Sequence, residues 1–279
     1  MLTNTFCHVP SIGLGTERRL WEAGLHSWQA LSGTGELPVS KARAATLRAQ
    51  LRESLEHLAD GDAGYFSDRL RSDQHWRMFR EFQHSVAYLD IETTGLGGPG
   101  DYVTTIALYD GRSIRTYVRD RNLSDFQEDI RDYRLIVTYN GKCFDLPFLR
   151  EFLGVRLQQA HIDLRYALAS LGYRGGLKGC ERQLGIDRGE LDGVDGYFGV
   201  LLWMDFLRHD NERALETLLA YNTLDVVNLE TLMVHAYNLK IAQTPFASSH
   251  RLPMASHPEI PFKPDPETIG RIRSRIQPW

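Results

Sequence analysis

Apolar residues in the first sixty positions recur at helical spacing. In "SKARAATLRAQLRESLEHLA", Leu47, Leu51, Leu55 and Leu58 fall on one stripe, which predicts a helix opened by Ser40. Before it, "TERRLWEAG" predicts a shorter helix capped by Thr16 and closed by Gly24, within a helical hairpin over "HVPSIGLGTERRLWEAGLHSW". "DGDAG" at 60–64 breaks the pattern. From about residue 85 the apolar positions alternate instead. "VAYLDI", "YVTTIALYD" and "SIRTYVRD" predict three strands, the last two joined by the hairpin turn "DGR" at 110–112. A short helical stretch at "LSDFQEDIRDY" precedes "LIVTYN", a strand apolar enough to be covered on both faces. "DLPFLREFLG" predicts a helix and "QQAHIDL" a fifth strand; the rest, to about 240, is helical and ends in "NERALETLLAYNTLDVVNLETLMVHAYNLK". Three antiparallel strands followed by strands separated by helices predict an α/β fold, a mixed sheet flanked by helices. The pattern divides the chain into a small helical module at 1–82, a domain at 83–240 and a Pro-, Ser- and His-rich tail at 241–279 that is extended or flexible.

Composition narrows the class. The chain has 279 residues, 42% hydrophobic and 24% charged, enough to bury a substantial core. A net charge of −4 excludes a strongly basic coat but leaves local basic surfaces open. Residues 1–80 carry ten Lys/Arg against nine Asp/Glu, only +1. Cys7, Cys143 and Cys180 share no paired spacing, so neither a disulfide framework nor a zinc knuckle is expected, and Cys143 and Cys180 read as small buried residues. No basic start leads into an apolar leader, and no apolar run is long enough to cross a bilayer. A cytoplasmic location is the expectation.

The chemistry concentrates in three short stretches. In "AYLDIETTGLGGPG", Asp90 and Glu92 are two apart on a strand and therefore aim at one spot. Two carboxylates so placed repel unless a cation sits between them, and a hard divalent ion is the natural partner. The alternative is a strand end where both acids face water. In "TYNGKCFDLPFL", a second apolar strand runs through Asn140 to Asp145 at a helix start, where a plain N-cap aspartate is the competing role. In "LLAYNTLDVVNL", Tyr221 and Asp225 share a helix face, and Asp225 interrupts a Leu/Val stripe. An Asp at the helix's solvent boundary is the alternative there.

Together, "LDIETTGL", "YNGKCFDLPFL" and "YNTLD" resemble the three sequence blocks of the DEDD exonuclease superfamily, which has a ribonuclease H-like fold. The Tyr-x-x-x-Asp ending resembles its DEDDy branch. "HIDL" and the N-terminal hairpin resemble predicted bacterial exonucleases with a ribonuclease H-like domain. The resemblance implies a 3′–5′ exonuclease in which Asp90, Glu92, Asp145 and Asp225 hold two Mg²⁺ or Mn²⁺ ions about 4 Å apart. It implies that Tyr221 orients the attacking water, and that Thr93, Leu96 and Asn140 hold the 3′ end of a single strand of DNA or RNA. Phe144 stacks on a base or packs; Lys178 touches a phosphate or is solvated. Asp163 supports the site or caps the following helix. Other readings of the same fold are a non-catalytic nucleic-acid adaptor and a structure-specific endonuclease. The segment "HVPSIGLG" resembles a helix-hairpin-helix with Ser11 where the family's turn has Gly, which leaves nucleic-acid capture and simple docking both open.

Overall fold

The strand that carries Asp90 and Glu92 lies at the middle of the sheet. Five strands, β1 (Val86–Thr93), β2 (Val103–Tyr109), β3 (Ile114–Val118), β4 (Leu135–Thr138) and β5 (Ala160–Asp163), are ordered β3-β2-β1-β4-β5. β1 pairs antiparallel with β2, and β2 with β3; β1–β4 and β4–β5 are parallel. This is the predicted mixed sheet, three antiparallel strands and then two parallel ones. Gly111, at φ +86°, makes the β2–β3 turn. The computed structural model describes residues 1–32, 37–256 and 258–276; the parts of the N-terminal and tail expectations that fall on 33–36, 257 and 277–279 lie outside the described residues.

The helices, in chain order, are α1 (Leu14–Glu22), α2 (Lys41–Ala59), α3 (Ala63–Arg69), α4 (Phe79–Phe82), α5 (Phe126–Asp129), α6 (Asp145–Leu153), α7 (Leu164–Ala169), α8 (Gly176–Gln183), α9 (Gly196–His209), α10 (Glu212–Ile241), α11 (Ala247–His250) and α12 (Pro266–Ile276). Alternation along β1 sorts the layers. Ala87, Leu89 and Ile91 pack with Phe126, Ile130, Phe148 and Leu149 beneath α5 and α6. Val86 and Tyr88 face the other way, into a core shared with Val226, Leu229, Met233 and Tyr237 of α10. α10 is buried on nearly every side, its apolar positions running all round it as in a helix enclosed by a core, with Asn222, Asp225 and Asn228 as buried polar exceptions. Its first turns, at Leu215, Leu218 and Leu219, join a separate cluster with Phe198, Leu202 and Trp203 of α9. None of the described helices is long and apolar enough to cross a membrane.

The N-terminal segment is hooked to the chain before β1. Buried Glu17 accepts from Thr5 Oγ1 (2.5 Å), Phe6 N (2.7 Å) and Cys7 N (3.2 Å), and pairs with buried Arg77 at 2.8 Å. The amino terminus meets Glu81 at 2.5 Å. Several local expectations are corrected. α1 begins at Leu14 after Gly13, not behind a Thr16 cap; Thr16 Oγ1 instead accepts from Arg19. Ser40 and Gly24 stand as expected: Ser40 accepts from Arg43 N, and Gly24 follows the last turn of α1 at φ +83°. Cys143 is exposed, against its buried reading, whereas Cys180 is buried. The tail is not extended throughout. It ends in α12, which sets Ile269 and Ile272 against the α9–α10 cluster, and Arg271 makes a bidentate pair with buried Asp205 of α9 at 2.7 and 2.6 Å.

Candidate functional site

β1 pairs with β4 only from Val86 to Tyr88, so the two strands part before Asp90 is reached. At that point the chain order also reverses, with β2 on one side of β1 and β4 on the other. A crevice at the carboxyl ends of such strands is where ligands of α/β sheets sit. The β1–β2 register shifts between Glu92 and Thr93, a bulge that turns the chain into the 94–101 loop. Asp101 closes this loop by accepting from Gly97 N (2.9 Å) and Gly98 N (2.7 Å).

Carboxylate oxygens of Asp90, Glu92 and Asp225 lie within 4.8 Å of one another. Period-2 alternation delivers the first two, and α10 passing over the same face of β1 delivers the third. Glu92 fits because α9 offers Gly199 there: a Cβ at that position would lie 2.8 Å from Glu92 Oε2. Asp90 Oδ2 accepts from Asn222 Nδ2 at 2.7 Å, and Asn222 Oδ1 accepts from buried Thr105 on β2 at 3.0 Å. Asp225 is held by two cations. Arg188 reaches its Oδ1 at 2.5 Å and Lys178 its Oδ2 at 3.1 Å. Arg188 is itself clamped by buried Glu181 at 2.8 and 3.0 Å, and Asn228 donates to the same Glu181. Tyr221, one turn before Asp225, accepts from Lys178 Nζ at 2.5 Å.

Asp145 is the first residue of α6 and is buried, but its carboxylate is not one of the three that converge. Its charge still raises the pKa of Asp90 and of Glu92. For Asp90, burial is the largest cause, followed by Asp225, Asp145 and Glu92; for Glu92 it is burial and then Asp225. Burial pushes Asp145 up to about 7, with Asp163 adding to it and backbone hydrogen bonds opposing. Burial also holds the Tyr221 hydroxyl well above its usual range, reinforced by Asp225, Glu92 and Asp90.

These groups fit a divalent metal. The donors are hard carboxylate oxygens within coordinating reach of a common point. Half-buried Asp90 and buried Glu92, Asp145, Asp225 and Glu181 stand, among the described residues, against Lys178 and Arg188, an excess of negative charge that protons or added cations must cancel.

The carboxylates open onto a cleft of about 920 Å³, lined also by Asn140, Lys178 and Tyr221. Thr93, Leu96, Phe144 and Asp145 do not line it. Thr93 Oγ1 bonds the Gly95 carbonyl at 2.6 Å, Leu96 is 92% exposed on the 94–101 loop, and Phe144 packs on Phe148 with ring centroids 5.5 Å apart. Asn140 sits at φ +67°, its N–H donating to Asp163. Asp163 also accepts from Lys142 N and Arg165 N, so it caps α7 and fixes the β4–α6 loop at once. The sequence reading missed Asn222, Arg188 and the cleft wall of Tyr139, Arg165, Tyr166, Tyr173 and Arg174. Asn222, adjacent to Tyr221 in "YNTLD", carried the one available signal, a polar residue inside an apolar helix.

The RNase_H superfamily profile matches residues 87–237, which hold every one of these carboxylates. The Uncharacterized protein YprB of Bacillus subtilis (strain 168) is 27% identical over 176 residues, 55% of this chain and 42% of the relative. The chain therefore spans less than half the length of that relative. A family B DNA polymerase from the hyperthermophilic archaeon Pyrobaculum calidifontis aligns with 56% of this chain and 29% of its own, at 19% identity and a TM-score of 0.35.

Proposed function

The chain belongs to the RNase_H superfamily, and from that premise we propose that it is a divalent-metal-dependent nuclease of the DEDDy type, removing nucleotides from the 3′ end of single-stranded DNA or RNA. The observation that carries the reading is the convergence of Asp90, Glu92 and Asp225 oxygens at the open end of β1. The resemblance of "LDIETTGL", "YNGKCFDLPFL" and "YNTLD" to the DEDD exonuclease blocks supports the polarity, and residues 83–240 are the proposed nuclease unit. Asp90, Glu92 and Asp225, with Asp145 alongside, would hold two Mg²⁺ or Mn²⁺ ions. Such ions, when bound, acidify a water and stabilise the departing oxygen of a phosphodiester.

The chain's own groups have separate tasks. Asn222 fixes the Asp90 carboxylate by donating to its Oδ2. Tyr221 keeps its proton throughout the neutral range, so its hydroxyl orients a water and does not take the proton away. Lys178, bridging Tyr221 and Asp225, sets the position of that hydroxyl and faces the cleft where a phosphate would lie. Asn140, on the cleft wall, is held by Asp163 for contact with the strand end.

The test is digestion of matched 3′- and 5′-labelled DNA and RNA strands in Mn²⁺. Label is expected to leave the 3′ end first, as mononucleotide, and chelator is expected to stop it. Asp90→Asn and Asp225→Asn should each lower the rate by 100-fold or more, with an unchanged far-UV spectrum. Undiminished digestion by either variant would refute the assignment. Cutting of a closed circle would replace exonuclease by endonuclease, and binding without turnover would favour the adaptor.

A further inference from the structure

We propose that the cleft wall formed by α7 and the turn into α8 is a subsite for single-stranded nucleic acid, with Tyr166 stacking on a base and Arg165 and Arg174 holding backbone phosphates. The proposal deepens the nuclease reading and rests on it for the kind of ligand.

Charge is divided unevenly across the cleft. The acids Asp90, Glu92 and Asp225 line it from β1 and α10, whereas Arg165 and Arg174 line it from α7 and the turn into α8. Both arginines are exposed, and among the described residues neither has a carboxylate within ion-pair distance. Each commits one nitrogen to the protein: Arg165 Nη1 donates to Asn140 Oδ1 at 2.6 Å and Arg174 Nη1 to the Ala169 carbonyl at 3.0 Å. Those bonds aim the guanidinium groups and leave further N–H donors for a phosphate. An acidic floor that takes metal ions and a cationic wall suit a polyanion whose reacting phosphate lies on one and whose neighbouring phosphates lie on the other.

The tyrosines of the wall differ in how they are held. Tyr139 and Tyr173 pack against the main core, and the Tyr139 hydroxyl is within 3.7 Å of buried Cys180 Sγ. Tyr166 is absent from all three hydrophobic clusters. Its hydroxyl lies 3.9 Å from the Sγ of exposed Cys143, and Lys142 Nζ stands 5.8 Å from its ring centroid. A half-exposed ring outside the apolar clusters, lining the same cleft as two arginines that make no ion pair among the described residues, offers a stacking face. Only a base freed from a duplex stack can use such a face, so the wall selects single strands and is tolerant of sequence. The bland alternative, a solvated aromatic beside two solvated arginines, makes no such selection.

The experiment is fluorescence anisotropy of the full chain with a labelled ten-nucleotide strand, alone or annealed to its complement, in EDTA so that neither metal nor turnover enters. The wild type is expected to bind the single strand more tightly than the duplex. Tyr166→Ala should weaken single-strand binding about 5- to 100-fold, and Tyr166→Phe should restore most of it, since the ring face is what binds. Arg165→Ala with Arg174→Ala should weaken all sequences alike and flatten the slope of log Kd against log salt by about 0.7 for each phosphate that is no longer neutralised. Melting temperatures within a degree or two of wild type would show that these variants are folded. Unchanged affinity in Tyr166→Ala, or equal binding of duplex and single strand by the wild type, overturns the proposal. The two readings fail separately: turnover with unaffected binding variants removes the wall and leaves the nuclease, while selective binding without turnover in Mn²⁺ does the reverse.

Discussion

Asp225 shows how a single carboxylate is made tolerable inside a core. It is buried, and it survives there because Arg188 and Lys178 each take one of its oxygens. Arg188 is held in turn by Glu181, whose side chain is fully buried. The planar guanidinium can serve two carboxylates at once, which an ammonium cannot do in the same geometry. Arg188→Met should therefore destabilise the metal-free protein by about 3–5 kcal/mol, because it leaves buried Glu181 without its cation and Asp225 with Lys178 alone, and Arg188→Lys should recover only part. Adding Glu181→Gln to Arg188→Met should return some of the loss; urea unfolding of Arg188→Met, Glu181→Gln and the double variant checks this, and strict additivity would show that the two side chains are not coupled. Asp90, Glu92 and Asp225 were legible in the sequence because strand alternation and helix spacing say which way they point. Arg188 was not, since it follows α8 in an irregular segment where no period assigns a direction. The same holds for Arg174 in the turn between α7 and α8, and for Arg165, whose role depends on where β5 places the start of α7.

Elements were legible where one period governs them. The five strands follow from short apolar or alternating runs and α10 from a long helical pattern, and the antiparallel and parallel pairings follow from the hairpin and the helical connections, whereas the order β3-β2-β1-β4-β5 is seen only in the structure. Ends and isolated helices were harder. α1 starts two residues before Thr16 because Gly13 already supplies the extended residue a helix start needs. α12 was hidden by its setting: a stretch rich in Pro, Ser and His precedes it, and its apolar positions, Ile269 and Ile272, cover only a narrow stripe. Its docking depends on a bond across 66 positions, Arg271 to Asp205, which no local pattern contains. That bond holds the Asp205 carboxyl down at about 2, with Asn211 assisting. A depressed acid stabilises the fold above its unfolded pKa, and the contribution is lost as pH falls from about 4 to about 2. Arg271 is partly exposed, so screening limits the gain to about 1 kcal/mol. Arg271→Ala should lower stability by that amount at pH 7 and by much less at pH 2, where Asp205 is half protonated, and it should raise amide exchange selectively in α12. Equal loss at both pH values would mean that packing, not charge, sets the effect.

For the whole molecule, the sheet, α9 and α10 meet so that acids from three distant stretches occupy one end of the core. The arrangement is expensive without added cations. Burial pushes the Asp145 carboxyl up to about 7, and Asp90 and Glu92 are raised well above the ordinary carboxylate range by burial and by Asp225. An acid whose pKa is higher in the folded state than in the unfolded chain leaves stability intact below about pH 4 and erodes it as pH climbs through the folded value, here to about 7 for Asp145. The metal-free protein should thus lose a few kcal/mol between pH 4 and pH 8 from this site alone. A divalent ion acts in the opposite sense, because it binds the ionised carboxylates and must displace any protons they hold. Millimolar Mn²⁺ should consequently raise the melting temperature more at pH 8 than at pH 5.5, measured against EDTA at each pH. In Asp90→Asn the Mn²⁺ increment should shrink, while the EDTA baseline at pH 8 should rise, because one repelling charge is gone. A melting temperature that ignores Mn²⁺ at pH 8 would mean that these acids are balanced by protons and by Lys178 and Arg188 alone, and the metal would lose its place in the proposed function.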